Sequence, residues 1–318
     1  MLAHTNSCVG TELHALNKKI VIAVVVTFRP EIKPLERLLD LIADQVRSVI
    51  VVDNGSDTSL AQAINVNDRE GLKFLPLGEN LGIAEAQNRG ILQARQQGAT
   101  HVILFDQDSA PSGHMVRDLM ACAETLESGG TRVASVGPCY RDERQDNPPP
   151  FIRIENLRVH RCRTPENGNA VQVDYLIASG CLIPMAVLDE VGLMDSSLFI
   201  DYVDIEWGLR ARQYGFMNIG CFGATMEHSL GDEPIKFLGV AYPARSPLRH
   251  YYMFRNAVHL YKMRHIPGQW KFVDAYRLLF KFVFYGLFAH PRLGHCKMMG
   301  LGLWHGLTGK TGQLKRQG

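Results

Sequence analysis

No Cys-x-x-Cys pair occurs in these 318 residues; the seven cysteines (Cys8, Cys122, Cys139, Cys162, Cys181, Cys221, Cys296) stand singly along the chain. That spacing argues against a zinc knuckle or disulfide frame and points to a reducing compartment. Met1 to Asn17 is polar and lacks an apolar signal core, so export is not expected. The most apolar stretch, Trp270 to Ala289, is interrupted by Asp274, Arg277 and Lys281, which argues against a transmembrane helix. Internal repeats and low-complexity tracts are missing too. Acid is nearly absent from one region: Arg245 to Gly318 holds 13 Lys/Arg and a single acid, Asp274, while the rest carries 21 bases and 31 acids. An acidic body with a basic extension is the expected division, the extension directed at an anionic partner. A membrane surface or phosphorylated lipid suits its aromatic content better than nucleic acid, which is not expected to bind.

With 46% hydrophobic residues the chain can bury a large core. Lys18 to Thr27 and Ser48 to Asp53 are β-branched runs that read as strands buried on both faces. Pro34 to Ala43, with Leu35, Leu38, Leu39 and Leu41, reads as a helix opened by proline. Leu72 to Leu77 and His101 to Phe105 are further strands, with helices from Gly82 to about Gln97 and from Val116 to Leu126. This alternation predicts an α/β fold, a mostly parallel central sheet with helices on both faces. Arg141 to Gly168 reads as a loop or β-excursion, Val171 to Pro184 returns to strand character, and the chain after Tyr251 is helical. Ligands of such sheets sit beyond the carboxyl ends of the strands, where Thr27, Asp53 and Asp106 fall.

Asp106-Gln107-Asp108 places two carboxylates one residue apart just past a buried strand. In extended backbone they share a face, and like charges that close call for a cation or a proton. Two hard oxygen ligands suit Mg²⁺ or Mn²⁺ carrying a substrate's phosphates; a solvated turn would give the same triplet. Asp53 can accept the imide N–H of uracil or thymine, with Gly55 permitting the turn; alternatively Ser56 or Asp57 merely caps the next helix. Between Gly78 and Gly90, small residues allow close approach of a helix, Asn80 can cap it, and N–H groups near Gly82 favour an anion.

Thr27-Phe28, Val52-Asp53-Asn54-Gly55-Ser56, Asn80-Leu81-Gly82-Ile83-Ala84, Asn88-x-Gly90 and Asp106-Gln107-Asp108-Ser109 together resemble the inverting glycosyltransferases of family 2, which have the GT-A nucleotide-sugar-binding fold. Phe105-Asp106-Gln107-Asp108-Ser109 is closest to the bacterial rhamnosyltransferase branch, which uses dTDP-L-rhamnose. The resemblance runs from about Val21 to Arg255. It implies a catalytic domain over 18–255 and a basic amphipathic extension over 256–318. It also implies that Thr27, Phe28, Arg29, Asp53, Asn54, Asn80, Gly82, Asp106 and Gln107 bind the nucleotide sugar. Asp106, Asp108 and His228 would ligate Mg²⁺ or Mn²⁺, and Ser179 and Gly180 would line the acceptor side. Asp204 matches the family's base position. Val203 stands where an adjacent acid is common, so Asp201 and Glu206 stay open as helpers or substitutes, and the cluster could also be a solvated helix start. Arg255 would neutralise the departing diphosphate, unless it is an ordinary basic helix residue.

Val273, Tyr276, Phe280, Val283, Phe284 and Leu287 fall on one face of the Trp270–Ala289 helix, lying either in lipid headgroups or against the body. The implied protein is cytoplasmic and peripheral on the inner face of a bacterial plasma membrane, transferring L-rhamnose to a glycan or glycolipid acceptor such as lipopolysaccharide core, O-antigen or a polyprenyl-linked saccharide. A UDP-sugar donor is the nearest alternative. A haloacid-dehalogenase-type phosphatase using Asp106 as nucleophile, a nucleotide-sugar pyrophosphorylase and an inactive membrane-surface binding protein are the remaining ones.

Overall fold

The computed structural model describes residues 19–56, 59–141, 151–166, 168–228, 232–237 and 240–315. The first half alternates as expected: β1 (Val21–Thr27), α1 (Ile32–Ala43), β2 (Ser48–Asp53), the short α2 (Leu60–Ala63), β3 (Leu72–Pro76), α3 (Ile83–Gln96), β4 (His101–Asp106), β5 (Ser109–Pro111) and α4 (Met115–Ser128). There follow β6 (Val133–Arg141), a hairpin of β7 (Ile152–Glu155) and β8 (Arg158–Arg161), then β9 (Ala170–Val173), β10 (Cys181–Pro184), α5 (Met185–Val191) and α6 (Val203–Gln213). The chain continues through β11 (Met217–His228) and a second hairpin, β12 (Asp232–Phe237) and β13 (Val240–Ala244). It ends in three helices, α7 (Pro247–Lys262), α8 (Gly268–Phe288) and α9 (Arg292–Thr308).

The central sheet runs β3-β2-β1-β4-β10-β6-β11-β5, with β9 beside β11. β1 pairs in parallel with β2 and β4, and β2 with β3; β10 runs antiparallel between β4 and β6. Both faces are covered because residues alternate along each strand. Ile22, Val24 and Val26 belong to the core that includes α3 and α6, whereas Ala23 and Val25 belong to the one that includes α1 and α4. Each of these buried valine and isoleucine side chains contributes roughly 1.5–3 kcal/mol.

The expected boundary between residues 255 and 256 falls inside α7. Helices α7 and α9 pack tightly: a methyl added at Gly302 would lie 2.5 Å from the Tyr251 carbonyl oxygen, and one at Gly306 would lie 2.8 Å from that of Arg255. The expected apolar stripe of α8 divides between two faces. Val273 is buried with Trp270, Leu278 and Tyr285, and Phe284 packs half-buried against that core. Tyr276, Leu279, Phe280, Val283 and Leu287 are exposed instead. The helix is apolar around most of its circumference, so periodicity alone selected a mixture of its inner and outer sides.

Candidate active site

The parallel register brings Thr27 opposite Asp53 and Val26 opposite Asp106, so the three positions lie together at the carboxyl edge of the sheet. Thr27 is fully buried, and its hydroxyl donates to the Asp53 carboxylate at 3.3 Å. That carboxylate also accepts from the Ser56 N–H at 3.1 Å, closing the turn through Gly55, whose φ of +89° is a glycine conformation. Asp57 lies outside the described residues. Phe28 is exposed, its N–H donating to Gln107 Oε1 at 2.8 Å, and the Arg29 N–H donates to Ser56 Oγ at 2.7 Å. These bonds tie the β1, β2 and β4 ends into one rim.

Three of the N–H groups near Gly82, expected to favour an anion, are already used. Leu81 N–H donates to Asn54 Oδ1, Gly82 N–H to Asn80 Oδ1, and Ile83 N–H to the Phe199 carbonyl at 2.7 Å. Gly82 is required at this contact, since a Cβ there would meet the Phe199 oxygen at 2.5 Å. The Asn80-Leu81-Gly82 signature therefore seats the 199 turn against α3 and braces Asn54.

Asp106 ends β4 half-buried, and Asp108 is exposed in the turn before β5. Ser179 is buried beneath that turn rather than open to an acceptor. Its hydroxyl accepts from the Asp106 N–H at 3.3 Å and lies 2.5 Å from Ser109 Oγ. The Tyr140 hydroxyl donates to its carbonyl, and Gly180 turns against Pro138 at φ +75°. His228 pairs through its backbone with Ser109; its side chain lies outside the described residues. Among the described residues no cluster of three or more His, Cys, Asp or Glu side chains would hold a metal ion. Two acidic oxygens past a strand end nevertheless match an ion that takes its other ligands from phosphates and water, so the donor set fits Mg²⁺ or Mn²⁺.

Asp204 sits in the first turn of α6, keeps partial exposure, and accepts from the Ile205 N–H at 2.9 Å. Burial, reinforced by the negative charges of Asp106 and Asp201, pushes its carboxyl up to about 6, so these three acids face one cleft. Asp204 also lines a small cavity of about 20 Å³ together with Gln87, Trp207 and Asn218. Asp201 is held by Arg245 at 2.9 Å and by both Nε and Nη2 of Arg249 at 2.9 and 3.0 Å.

Glu206 and Arg255 lie apart from this cleft. Glu206 is buried against Arg210 and His265, at 2.9 and 2.7 Å, and these partners hold its carboxyl below the usual range despite desolvation. Arg255 is 1% exposed, with its guanidinium bonded to the carbonyls of Ser197, Leu198 and Gly312 and to Asn256 Oδ1. Four of its five N–H donors are engaged in this way, and its burial keeps it from a phosphate. Besides Arg245, a cation that does face the acids is Arg249, whose charge is stabilised by Asp201, Asp106 and Asp204. Sequence reasoning missed it, although helical geometry offered a signal: six residues at about 100° each put Arg249 and Arg255 about 120° apart around α7, so they face different ways.

The chain matches the model of the family described as Glycosyl transferase family 2 over residues 23–187. It is 35% identical over 248 residues to the dTDP-rhamnosyl transferase RfbF of Shigella flexneri, covering 78% of this chain and 81% of that one. A galactofuranosyltransferase of Mycobacterium tuberculosis is 29% identical over 251 residues, covering 74% and 80%. Among solved structures, S. aureus TarS 1–349 in complex with UDP-GlcNAc resembles it with a TM-score of 0.56 at 16% identity, over 92% of this chain and 81% of that one, a likeness of fold. A family match over more than half the chain, with a relative so similar along most of both lengths, means that the protein belongs to glycosyl transferase family 2 and is a glycosyltransferase with the GT-A fold.

Proposed function

We propose that this glycosyltransferase is metal-dependent and inverting, and moves L-rhamnose from dTDP-L-rhamnose to a saccharide growing on a lipid carrier. The observation that carries the proposal is the convergence of Asp53, Asp106 and Asp204 around one cleft, in a chain 35% identical to a dTDP-rhamnosyl transferase. Asp53 accepts the thymine imide N–H at the nucleoside end. Asp106 and Asp108 hold a divalent cation, whose chemistry when bound is to offset the diphosphate charge. Asp204 takes the acceptor hydroxyl's proton as its oxygen attacks the anomeric carbon, and the bond from that carbon to the diphosphate breaks, releasing dTDP. Arg249, whose Nε and Nη2 pair with Asp201, would meet the departing phosphates through its remaining N–H groups. A UDP-linked donor would use the same nucleoside acid. Assaying both donor classes with a rhamnose-free lipid-linked acceptor decides: transfer from dTDP-L-rhamnose with inverted anomeric configuration is expected, and a preference for UDP-sugars overturns the donor assignment.

The proposal includes the inner surface of a bacterial plasma membrane as the place of work. Among the described residues no helix is long and apolar enough to cross a membrane. The outer side of α8 is nonetheless apolar, with Leu279 66% and Phe280 71% exposed, and Trp304 of α9 is 61% exposed. Arg277, Arg292 and Lys297 are exposed on the same two helices, matching anionic headgroups. Vesicles rich in phosphatidylglycerol are expected to bind the protein at low salt, and Leu279→Glu with Phe280→Glu to weaken that binding at least tenfold, since each places a charge in the interface. Equal binding by the double variant would remove α8 as the contact.

A further inference from the structure

Three residues without the freedom of glycine occupy left-handed backbone just before the proposed base: Phe199 at φ +65°, Asp201 at +64° and Tyr202 at +66°. Such conformations cost on the order of 1–3 kcal/mol each and persist only where surrounding contacts impose them. The contacts here come largely from one side chain. Asn256 is fully buried, and its Nδ2 shares two hydrogens among the carbonyls of Leu198, Ile200 and Asp201, at 2.9, 2.8 and 2.9 Å. Its Oδ1 accepts from Arg255 Nε at 2.9 Å, while Arg255 Nη2 donates to the same Leu198 carbonyl at 2.8 Å. Both residues of the Arg255-Asn256 pair are thus spent on the turn of 197–201.

From the far side, the turn is fixed by the Ile83 N–H bond to the Phe199 carbonyl and by stacking of Phe199 on Tyr252, centroids 5.0 Å apart. The chain after α9 closes the arrangement: Gly312 N–H donates to the Ser197 carbonyl at 2.7 Å, and Arg255 donates to the Gly312 carbonyl. Immediately past the turn, Tyr202 occupies the N-cap position of α6 and Asp204 follows in its first turn.

We infer that Asn256, with Arg255 behind it, is a positioning residue that forces the 198–202 turn into its left-handed path and so aims Asp204 at the acceptor. It touches neither donor nor acceptor. A generic packing role would predict a loss of folded protein; a positioning role predicts a folded enzyme that binds donor and turns over slowly. This rests on the reading of Asp204 as the base.

The test uses the full chain with Asn256→Ala and with Asn256→Asp, which keeps the shape but cannot donate. Donor affinity is measured by titration with dTDP-L-rhamnose and Mn²⁺, alongside kcat, KM and the melting temperature. Expected is a fall in kcat on the order of a hundredfold, as for a base displaced by about 1 Å, with donor Kd changed less than threefold. An unchanged kcat, or a kcat that falls only in step with donor affinity or the folded fraction, overturns the inference. If neither variant folds, Arg255→Lys, which loses the forked geometry, is judged by the same two outcomes. Asp204→Asn separates the two claims. If that variant turns over normally, the base assignment fails. If it is inactive while both Asn256 variants keep full kcat, only the positioning role fails.

Discussion

Asp204→Asn is expected to lower kcat on the order of a thousandfold while leaving donor affinity within about threefold, the scale of losing a positioned general base. The amide keeps the shape and its bond from the Ile205 N–H, so the α6 turn should survive. What disappears is the ability to take a proton. Because burial, reinforced by Asp106 and Asp201, holds the Asp204 carboxyl at about 6, kcat/KM of the native enzyme is expected to rise with pH through about 6 and level off above it. The sign follows from role: a base works only when ionised, and a raised value moves its ionisation upward. A normal rate in the variant would assign the proton to another group, Asp201, paired with Arg245 and Arg249, being one candidate.

The second large effect is expected at the β4 end. Asp106→Ala and Asp108→Ala should each abolish metal-dependent donor binding and reduce turnover by about a thousandfold, equivalent to about 4 kcal/mol of lost charge stabilisation. The two substitutions differ in their structural cost. Asp106 is half-buried, and its backbone N–H is braced by Ser179; Asp108 is exposed, so Asp108→Ala should lower the melting temperature less than Asp106→Ala. That makes Asp108 the cleaner probe. A phosphatase of the haloacid dehalogenase type would instead trap phosphate on Asp106, a result that would refute transfer chemistry at this pair.

The strands of the first half were legible because continuous Val/Ile runs belong to parallel strands buried on both sides, and Asp53 and Asp106 follow directly from where those runs stop. Helical phase was harder to read. Asp204 and Glu206 look like neighbours in sequence, yet two helical residues point about 200° apart, so one faces the cleft and the other meets Arg210 and His265. The same geometry separates Arg249 from Arg255. The family resemblance singled out Arg255 but not its work, nor that of Asn256, because their partners are carbonyls of a turn more than fifty residues away, and no pattern in side-chain type encodes that. Ser179 was misread for a related reason: a small residue at a turn leaves room for a ligand or for its own protein, and here Ser109 and Tyr140 fill the space.

Titrating the purified full chain with dTDP-L-rhamnose in Mn²⁺ and again in EDTA, with Asp108→Ala in parallel, probes the metal-diphosphate site most directly. Expected is saturable binding in Mn²⁺ that vanishes in EDTA and in the variant. Equal affinity under all three conditions would mean that Asp106 and Asp108 do not hold the donor's phosphates through a cation, and the site would have to be sought elsewhere.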